Sequence, residues 1–517
     1  MTSATLQSST TSDKTPKAYQ ALIERVRDAH LLGATGGILS WDQETMMPAG
    51  GVELRSQQLA ILARLQHQMS THPLVGEFIS QCEADRSFME SNSVESANIV
   101  ELRRDFDQAT KLPERLISEF AEVSSKAQHE WASARKASDF KMFLPWLEKL
   151  VALNREKAAC LGIPAGGEPW DALADTYEPG CTAASVTKVF TPLRARLVKL
   201  LADLMGGSRR PSNRFNELAL PIEAQTKFVR MVVESIGFDF QRGRLDSSTH
   251  PFCGGSHCDD VRMTTRYSET CLNDALGSSM HEAGHGMYEQ GLPSRAIGTP
   301  AGTAVSLGIH ESQSRLWENQ VGRGLPFWKW CAPKLEGFVG RSVDGFSLDE
   351  LYGAANIVEP GFIRVDADEA TYNMHVMVRF EIERLLIAGS LAPKDLPGEW
   401  NRRYKEYLGL TVPDDRRGCL QDVHWSMGAF GYFPTYTLGT LYSAQFFDAA
   451  KKAIPGLEDG FAKGDFVPLR EWLNREVHSH GRRFLPEELC KRVTGSPLSS
   501  EHYMAYLEGK LRPLYNC

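Results

Sequence analysis

Two histidines and a glutamate in the stretch HEAGH, residues 281–285, could together bind a metal ion and transfer a proton. On a helix, residues four apart project from the same face, so His281 and His285 can offer two imidazoles to one ion. Glu282 can reach a water molecule at that ion without binding the ion itself, which is the position of a general base. The alternative is a pair of solvent-facing histidines on a helix, because so short a motif also arises by chance.

A catalytic zinc ion needs three protein ligands and one open position. The stretch GIHESQSRLWENQ, 308–320, has helical spacing and contains candidates for the third ligand. Glu311 is the preferred one, because the 26 residues that separate it from the second histidine allow a second helix to run past the first. Glu289, His310 and Glu318 are the alternatives. Glu289 shares the first helix, where three ligands in a line fit a tetrahedron poorly.

Apolar residues recur at three-and-four spacing along most of the chain, which predicts an all-α, mainly helical protein. The helix that carries HEAGH is predicted over 272–290, followed by Gly291 and Pro293 as stop signals. Further helices are predicted over 17–32, 52–66, 94–110, 114–137, 142–161, 183–205, 221–236, 348–357, 373–389, 396–408, 441–453, 466–479, 486–493 and 500–511.

Only the stretch 238–267 has strand character, because it contains hairpin-type glycines and the alternating segment DVRMTTRY. Since it directly precedes the HEAGH helix, a small sheet beside the site is expected. The chain shows no internal repeat or strong linker, so residues 17–517 are predicted to form a single helical domain. The Ser/Thr-rich segment 1–16 is predicted to be a disordered tail.

Composition excludes several classes of partner. Lys and Arg total 57 against 65 acidic residues, a net charge of −8, which argues against nucleic acid or an anionic membrane as the main partner. No apolar run is long enough to span a bilayer, and the N-terminal segment has no secretory signal pattern. The ten cysteines therefore indicate reduced thiols and a cytoplasmic location. The CGGSHC stretch, 253–258, is interpreted as a Gly-rich turn rather than a metal site.

Five motifs stand in order along the second half of the chain. They are DVRMT at 260–264, HEAGH at 281–285, HESQ at 310–313, IRVDAD at 363–368 and GCLQDVHW at 418–425. With them the sequence resembles the carboxypeptidase Taq family, the thermostable-type zinc metallocarboxypeptidases also found in trypanosomatid parasites. The resemblance runs from about residue 20 to the C-terminus, and SWDQETMMP and GYFPTYTLG at 40–48 and 431–439 belong to it.

The resemblance implies a single zinc ion held by His281, His285 and Glu311, with Glu282 as the catalytic acid and base. Cobalt is expected to be able to replace zinc. The implied fold is a saddle of helices around a deep groove with the metal at its floor, and relatives are typically homodimers. The expected substrates are peptides with a free C-terminus, from which single residues are removed.

A carboxypeptidase must also hold the substrate's carboxylate, and arginine suits this because its planar fork donates two hydrogen bonds. Arg262 and Arg364 are the motif arginines. Either could instead form a local ion pair: Arg262 with Asp260 or Glu269, and Arg364 with one of the aspartates of its own motif, at 366 and 368.

Other motif residues carry possible supporting roles. His424, Tyr432 and Tyr436 are candidate hydrogen-bond donors to the substrate backbone or to a developing oxyanion, by analogy with helical peptidyl-dipeptidases, although such aromatic residues often only pack in a core. Asp260, His310 and Asp422 are expected to orient imidazoles or arginines.

The five motifs leave two other functions open. One is a helical zinc endopeptidase or dipeptidyl carboxypeptidase, and the other is a catalytically silent binding scaffold.

Overall fold

A computed structural model describes residues 15–517, so nearly all of the expected tail at 1–16 lies outside the described residues. The described chain is mainly helical with one small sheet, as expected. Its α-helices are α1 (Lys17–Thr45), α2 (Val52–Ser70), α3 (Pro73–Ala84), α4 (Arg86–Met89), α5 (Val94–Thr110), α6 (Glu114–Ala137), α7 (Phe140–Leu161), α8 (Pro169–Ala174), α9 (Ala183–Gly206), α10 (Ile222–Ile236), α11 (Leu272–Gly291), α12 (Leu307–Arg315), α13 (Leu325–Val339), α14 (Leu348–Ala354), α15 (Tyr372–Ala388), α16 (Leu396–Leu408), α17 (Pro434–Ala453), α18 (Leu457–Phe461), α19 (Val467–Glu476), α20 (Pro486–Thr494) and α21 (Glu501–Tyr515).

Two helices near the site differ from the sequence prediction. The helix predicted over 441–453 begins a further seven residues upstream, at Pro434, where the fixed φ of proline suits a first helical position. The helix predicted over 308–320 is α12 only as far as Arg315, after which Leu316–Gly322 form a π-helix. π-helical turns are rare and are frequent at functional sites.

The sheet consists of β1 (Gly243–Ser247), β2 (Cys253–His257) and β3 (Asp260–Thr265), in the order β1-β3-β2. β3 pairs with β1 in parallel and with β2 antiparallel, so β2 is an edge strand. Val261 and Met263 of β3 are fully buried, and Val261 lies beside Gly286 of α11. One face of the sheet therefore packs on the HEAGH helix, which confirms the small sheet expected beside the site.

Most buried side chains form one hydrophobic core, which runs from α6 to α21 and includes the inner face of the sheet. A smaller cluster joins α1, α3 and α5 around Leu22, Ile79 and Ile99. Helix α2 packs against α1 but has no buried residue. Within residues 15–517, no helix is long and apolar enough to cross a bilayer.

Two glycines let α12 lie unusually close to its neighbours. A Cβ at Gly284, inside HEAGH, would come within 2.5 Å of the Gln313 carbonyl oxygen on α12. A Cβ at Gly439 of α17 would come within 2.6 Å of the Glu311 side chain. Because any larger residue would push the helices apart, these glycines fix α12 between α11 and α17 and thereby fix the position of Glu311.

Candidate active site

Helices α11 and α12 bring His281, His285 and Glu311 together. The Nε2 atom of His281 lies 3.6 Å from the Glu311 carboxylate, and the Nε2 atom of His285 lies 3.5 Å from the same oxygen. One donor atom from each of the three residues lies within 4.8 Å of the other two. Three residues from two helices therefore face one point from different directions, as the sequence predicted.

Both imidazoles are oriented through their other ring nitrogen. The Nδ1 atom of His281 lies 2.9 Å from the carboxylate of Glu318, which also pairs with Arg323 at 3.1 Å. A hydrogen bond of this kind fixes the ring and leaves its Nε2 free to accept an ion. Glu318 thus orients His281 and lies behind the group of three rather than within it.

His285 is oriented by a second chain of contacts. Its Nδ1 atom contacts Nδ1 of His310, whose Nε2 lies 2.8 Å from the carboxylate of Glu289. Burial, with His310 adding to it, lowers the pKa of His285 to about 3, so its imidazole is neutral near pH 7. A neutral imidazole is the form that binds a metal ion. His310 and Glu289, both alternatives for the third ligand, accordingly lie behind His285 and outside the group of three.

Glu311 is kept ionised despite its burial. Burial acts to raise the pKa of Glu311, but Arg315 and His281 outweigh it and hold the pKa well below its usual value. The Nε of Arg315 donates to the Glu311 carboxylate at 2.7 Å, which leaves the other carboxylate oxygen facing the two histidines. That oxygen also accepts from the Ser314 hydroxyl at 3.3 Å, and a buried, charged carboxylate placed in this way is suited to bind a cation.

Glu282 lies next to this group without belonging to it. The residue is only 6% exposed, and burial is the main reason why its pKa is raised to about 7. The nearest charged neighbours include His281, which lowers the pKa, and Glu311, which raises it. A carboxyl group with a pKa near neutrality can both take and return a proton at working pH.

These residues fit a divalent metal ion on their own chemistry. Two imidazoles and one ionised carboxylate are a ligand set of catalytic zinc sites, which leaves a fourth position open. Each ligand also has the orienting hydrogen bond that such sites require, to Glu318, His310 or Arg315.

A second group of possible donor atoms, from His257, Cys258 and Asp259, lies on the turn between β2 and β3. The main-chain N–H of Asp259 donates to His257 at 3.3 Å, and the Asp259 carboxylate pairs with Arg242 at 2.6 Å. Because these contacts already use the donors, the geometry favours the Gly-rich turn interpretation.

A buried cluster of charge lies on the other side of the metal-binding group. Asp422 accepts from the Nε of Arg364 at 3.0 Å and from the Nε of Arg379 at 2.6 Å. Arg364 is 4% exposed and Arg379 is fully buried. Among the ion pairs of residues 15–517, both arginines use only Asp422, so one positive charge has no carboxylate of its own.

This cluster connects to the metal-binding group through Tyr372. Arg364 donates to the Tyr372 hydroxyl at 2.9 Å, and the guanidinium of Arg315 lies 4.5 Å from the centre of the same ring. Arg315 in turn holds Glu311. The local pairing of Arg364 with the aspartates at 366 and 368, considered from the sequence, is wrong, because its partner Asp422 comes from another motif.

His424, Tyr432 and Tyr436 also meet here. The Nε2 atom of His424 lies 3.3 Å from the Tyr436 hydroxyl, and its ring centre is 5.3 Å from that of Tyr432. Arg364 lies 4.9 Å above the Tyr436 ring. Tyr436 precedes Gly439 by three residues on α17, so it stands about one turn from the point where that helix contacts Glu311. Burial lowers the pKa of His424 to about 4, so its imidazole is neutral near pH 7.

Arg262 and Asp260 occupy a different place. Alternate residues of a strand face opposite sides, and Val261 faces α11, so Arg262 faces α1 instead. Its guanidinium donates to Asp260 at 2.9 Å and 3.1 Å and lies 4.6 Å from the ring centre of Trp41. The sheet thus stands between Arg262 and the HEAGH helix, and the local pairing with Asp260 considered from the sequence is the one observed.

Comparison with known proteins identifies the family. The model of the family described as "Carboxypeptidase Taq (M32) metallopeptidase" matches residues 21–511. The thermostable carboxypeptidase 1 of Thermus thermophilus is 44% identical over 509 residues, which cover 97% of this chain and 100% of the relative. The chain belongs to the M32 carboxypeptidase Taq family.

Solved structures of M32 carboxypeptidases share its fold. The enzyme from Deinococcus radiodurans matches with a TM-score of 0.93 and 40% identity, covering 97% of this chain and 100% of that one. Metallocarboxypeptidase 1 of Trypanosoma cruzi matches with a TM-score of 0.91 and 35% identity, covering 96% and 99%. The resemblance drawn from the five motifs is therefore confirmed, and the protein is a metallopeptidase that hydrolyses peptides.

Sequence reasoning missed the buried carboxyl group that holds the His424 loop of this M32 enzyme. Glu383 is fully buried and accepts from the indole N–H of Trp425 at 2.9 Å and from the main-chain N–H of Gly431 at 2.9 Å. Trp425 directly follows His424, and Gly431 directly precedes Tyr432. Trp170 donates to the same carboxyl group at 3.2 Å. Glu383 thus fastens both ends of the loop, and no local pattern on α15 distinguishes it from a surface glutamate.

Glu178 plays a similar part for α12. It is 3% exposed, and its carboxylate accepts from the main-chain N–H of Gly308 at 2.8 Å, in the first turn of the helix that carries Glu311. A carboxylate at a helix N-terminus is stabilising, because unpaired N–H groups and the helix dipole favour negative charge there. Ser306 could have signalled this helix start from the sequence, since its hydroxyl accepts from Ile309.

Proposed function

We propose that this M32 enzyme is a zinc-dependent carboxypeptidase that removes single residues from the C-terminus of peptides. The observation that carries the proposal is the excess positive charge of Arg364 and Arg379 over Asp422, placed beside the metal-binding group. A buried positive charge attracts a carboxylate, and an arginine fork can bind it with two hydrogen bonds. A free C-terminus brings such a carboxylate within reach of the scissile bond.

His281, His285 and Glu311 would hold the zinc ion, and two histidines with one glutamate are a donor set of catalytic zinc sites. When bound, zinc supplies a Lewis acid that polarises the scissile carbonyl and makes a water molecule more acidic. Cobalt, which accepts the same ligands, is proposed to substitute for it.

Glu282 acts as the base and then as the acid. Its carboxylate takes a proton from the attacking water and delivers that proton to the leaving nitrogen, so the group ends the cycle in its starting state. The burial of Glu282 supports this role, because a carboxyl group away from bulk water has a pKa closer to neutrality and can return the proton.

Arg364 anchors the terminal carboxylate of the substrate, while His424 and Tyr436 donate hydrogen bonds toward the reacting carbonyl, with Tyr432 beside them. All three are neutral donors near pH 7, since burial lowers the pKa of His424 and raises the pKa values of both tyrosines. Neutral donors preset around a point where negative charge develops stabilise a transition state more than a substrate. Asp422 orients Arg364, His310 orients His285, and Asp260 orients Arg262.

Two expectations from the resemblance stay predictions: the saddle shape with a deep groove, and the homodimer. An exposed apolar stripe of Leu54, Ile61 and Leu65 on α2 supports a contact with a second copy.

A time course on one unstructured peptide, followed by mass spectrometry, tests the proposal. The peptide is prepared with a free and with an amidated C-terminus, and the enzyme carries one zinc ion per chain. We expect a ladder of single C-terminal losses from the free peptide, which chelation abolishes and amidation suppresses by at least a hundredfold, of the order expected when a buried charge loses its partner. Internal cleavage, release of dipeptides, or indifference to amidation would overturn the exopeptidase assignment.

A further inference from the structure

A cavity of about 380 Å³ opens between α1 and the edge strand β2, and the proposed mechanism does not use it. Its walls include Ile38 and Trp41 from α1, Phe252 and Gly254 on the β2 side, and Arg262 from β3. We call it the Trp41 pocket. Most of these walls are apolar, and the volume suffices for an aromatic or long aliphatic side chain.

Gly254 keeps this pocket open. It lies in extended backbone, and a Cβ added there would meet no atom within 4 Å. Gly254 pairs with Arg262 across the strands, so both residues lie on the face of the sheet that looks toward α1. A side chain at this position would therefore project into the cavity and fill it.

Trp41 forms the most buried wall. It is 7% exposed, and within residues 15–517 its indole N–H has no hydrogen-bond partner. The guanidinium groups of Arg244 and Arg262 each lie 4.6 Å from the centre of its ring, and each arginine is paired with an aspartate of its own strand. The ring is thus held in place, with a buried donor that no residue of the described chain satisfies.

Strand β2, which carries Gly254, also borders the catalytic side of the sheet. Cys253 pairs across the strands with Met263, which is buried on the same face of β3 as Val261, so the Cys253 side chain lies on the face of the sheet that packs against α11. Gly254, the next residue, faces the Trp41 pocket. Neighbouring residues of β2 therefore face the α11 side of the sheet and the pocket.

Within residues 15–517, the outer edge of β2 has no strand partner and can bind another chain. The Phe252 carbonyl accepts from Thr264 at 2.8 Å, so by alternation the main-chain groups of Gly254 also face β3, whereas those of Cys253 and Gly255 face the open edge. The exposed residues Gly254 and Gly255 carry no side chain that would cover this edge. Extended peptides bind such edges by adding a strand, and their alternate side chains then point to opposite faces of the sheet.

We propose that the Trp41 pocket binds an apolar side chain, aromatic or long aliphatic, of the peptide substrate while the peptide's main chain lies along the open edge of β2. This inference rests on the proposed carboxypeptidase function and adds a substrate class to it: peptides with one large apolar residue upstream of the scissile bond. The neighbouring residues of the peptide point to the other face, toward the catalytic side. A dipeptide with a blocked N-terminus is too short to occupy the pocket.

The test compares two kinds of substrate. One is an N-acyl dipeptide, and the other is a set of octapeptides with the same two C-terminal residues, in which a single Phe replaces Ser at each upstream position in turn. We expect the wild-type enzyme to prefer Phe at one position by about tenfold to a hundredfold in kcat/KM, the effect of burying one large apolar side chain. No preference at any position would overturn the proposal.

Pocket-filling variants locate the effect. In Gly254→Val the ratio of kcat/KM for the preferred octapeptide to that for the dipeptide should fall by at least tenfold, and Gly254→Ala should show a smaller fall. Gly337→Val is the matched control, because Gly337 is also exposed with open space for a Cβ but lies on α13. A preference that survives in Gly254→Val would overturn the proposal.

The dipeptide separates the two claims. If the wild-type enzyme fails to hydrolyse an N-acyl dipeptide and every octapeptide from the C-terminus, the proposed function itself is wrong. If it hydrolyses them all with equal efficiency, the proposed function stands and only the pocket assignment is wrong.

Discussion

The metal-binding group and the arginine cluster are neighbours in space but are built in opposite ways. His281, His285 and Glu311 come from two helices that follow each other in the chain, and each ligand is oriented by residues from the same helices or the π-helix that continues them. Arg364 instead depends on Asp422, which is 58 residues away. The first group is assembled by helical periodicity, whereas the second exists only once distant loops have met.

The two regions also differ in their charge balance. Glu311 and Glu318 are both paired with Arg315, and Glu318 is also paired with Arg323, so two arginines balance these two carboxylates. Around Asp422, two arginines share one carboxylate. On the metal side every arginine thus has a carboxylate partner, whereas the arginine side is left with a positive charge that a substrate can neutralise.

Removal of the base should have the largest effect. For Glu282→Gln we expect kcat to fall about 10²- to 10⁴-fold, because general acid–base catalysis contributes about that much. The zinc content, measured by atomic absorption, should stay at one ion per chain, since Glu282 is not among the ligands. Retention of more than a few per cent of activity with full zinc would remove Glu282 from the mechanism.

The second prediction compares the two motif arginines directly. For Arg364→Met we expect kcat/KM on an N-acyl dipeptide to fall by about thirtyfold to a thousandfold, as when a buried charge pair loses one partner. Asp422 keeps Arg379, so the fold should tolerate the change. Arg262→Met should lower kcat/KM less on the same substrate, because the Arg262 side chain lies on the face of the sheet that looks toward α1. An equal or larger loss at Arg262 would reverse our assignment of the two residues.

Glu318 and Glu289, which lie behind the two histidines, should affect zinc binding to different extents. For Glu318→Gln we expect zinc to bind about tenfold to a hundredfold more weakly, because the partner that orients His281 loses its charge. Glu289→Gln should weaken zinc binding less than Glu318→Gln does, since Glu289 acts on His285 only through His310. Competition with a chromophoric chelator measures both affinities. A weaker effect of Glu318→Gln than of Glu289→Gln would contradict the geometry.

The smallest expected effect concerns the loop on the arginine side. Trp425 and Trp170 donate to the same carboxyl group of Glu383, but only Trp425 belongs to the loop that carries His424. Each change to Phe should remove one buried hydrogen bond, worth about 1–3 kcal/mol of stability. We expect kcat to fall about threefold to tenfold in Trp425→Phe and to stay close to wild type in Trp170→Phe, because a shift of the loop misplaces a donor.

Thermal unfolding shows whether the two variants are matched in stability. Equal losses of kcat at equal losses of Tm would mean that Glu383 only stabilises the fold and does not position His424.

The ion pair expected from sequence spacing is observed for Arg262 but not for Arg364, and the local backbone explains the difference. Arg262 and Asp260 are two apart on a strand, so they share a face and the fork reaches the carboxylate without any help from the rest of the fold. Arg364 lies in a short 3₁₀ turn, which sets no such periodicity, and its side chain finds Asp422 from the loop before His424. Sequence spacing predicts an ion pair only where a helix or a strand fixes the directions of the two side chains.

The sequence by itself determined the family, the mainly helical fold, the sheet beside the site and the proposed zinc ligands, because these depend on helical spacing and on motifs read within a few residues. It also identified most of the chemical groups on the arginine side. Only the tertiary structure decided which groups meet: that Arg364 reaches the metal-binding group through Tyr372 and Arg315 while Arg262 faces α1. It also decided that Glu383 on α15 and Glu178 beyond the end of α8 support the site from segments without a motif. Such contacts join residues about fifty to more than two hundred positions apart. They form when buried polar groups find partners during packing, and a one-dimensional pattern does not contain that requirement.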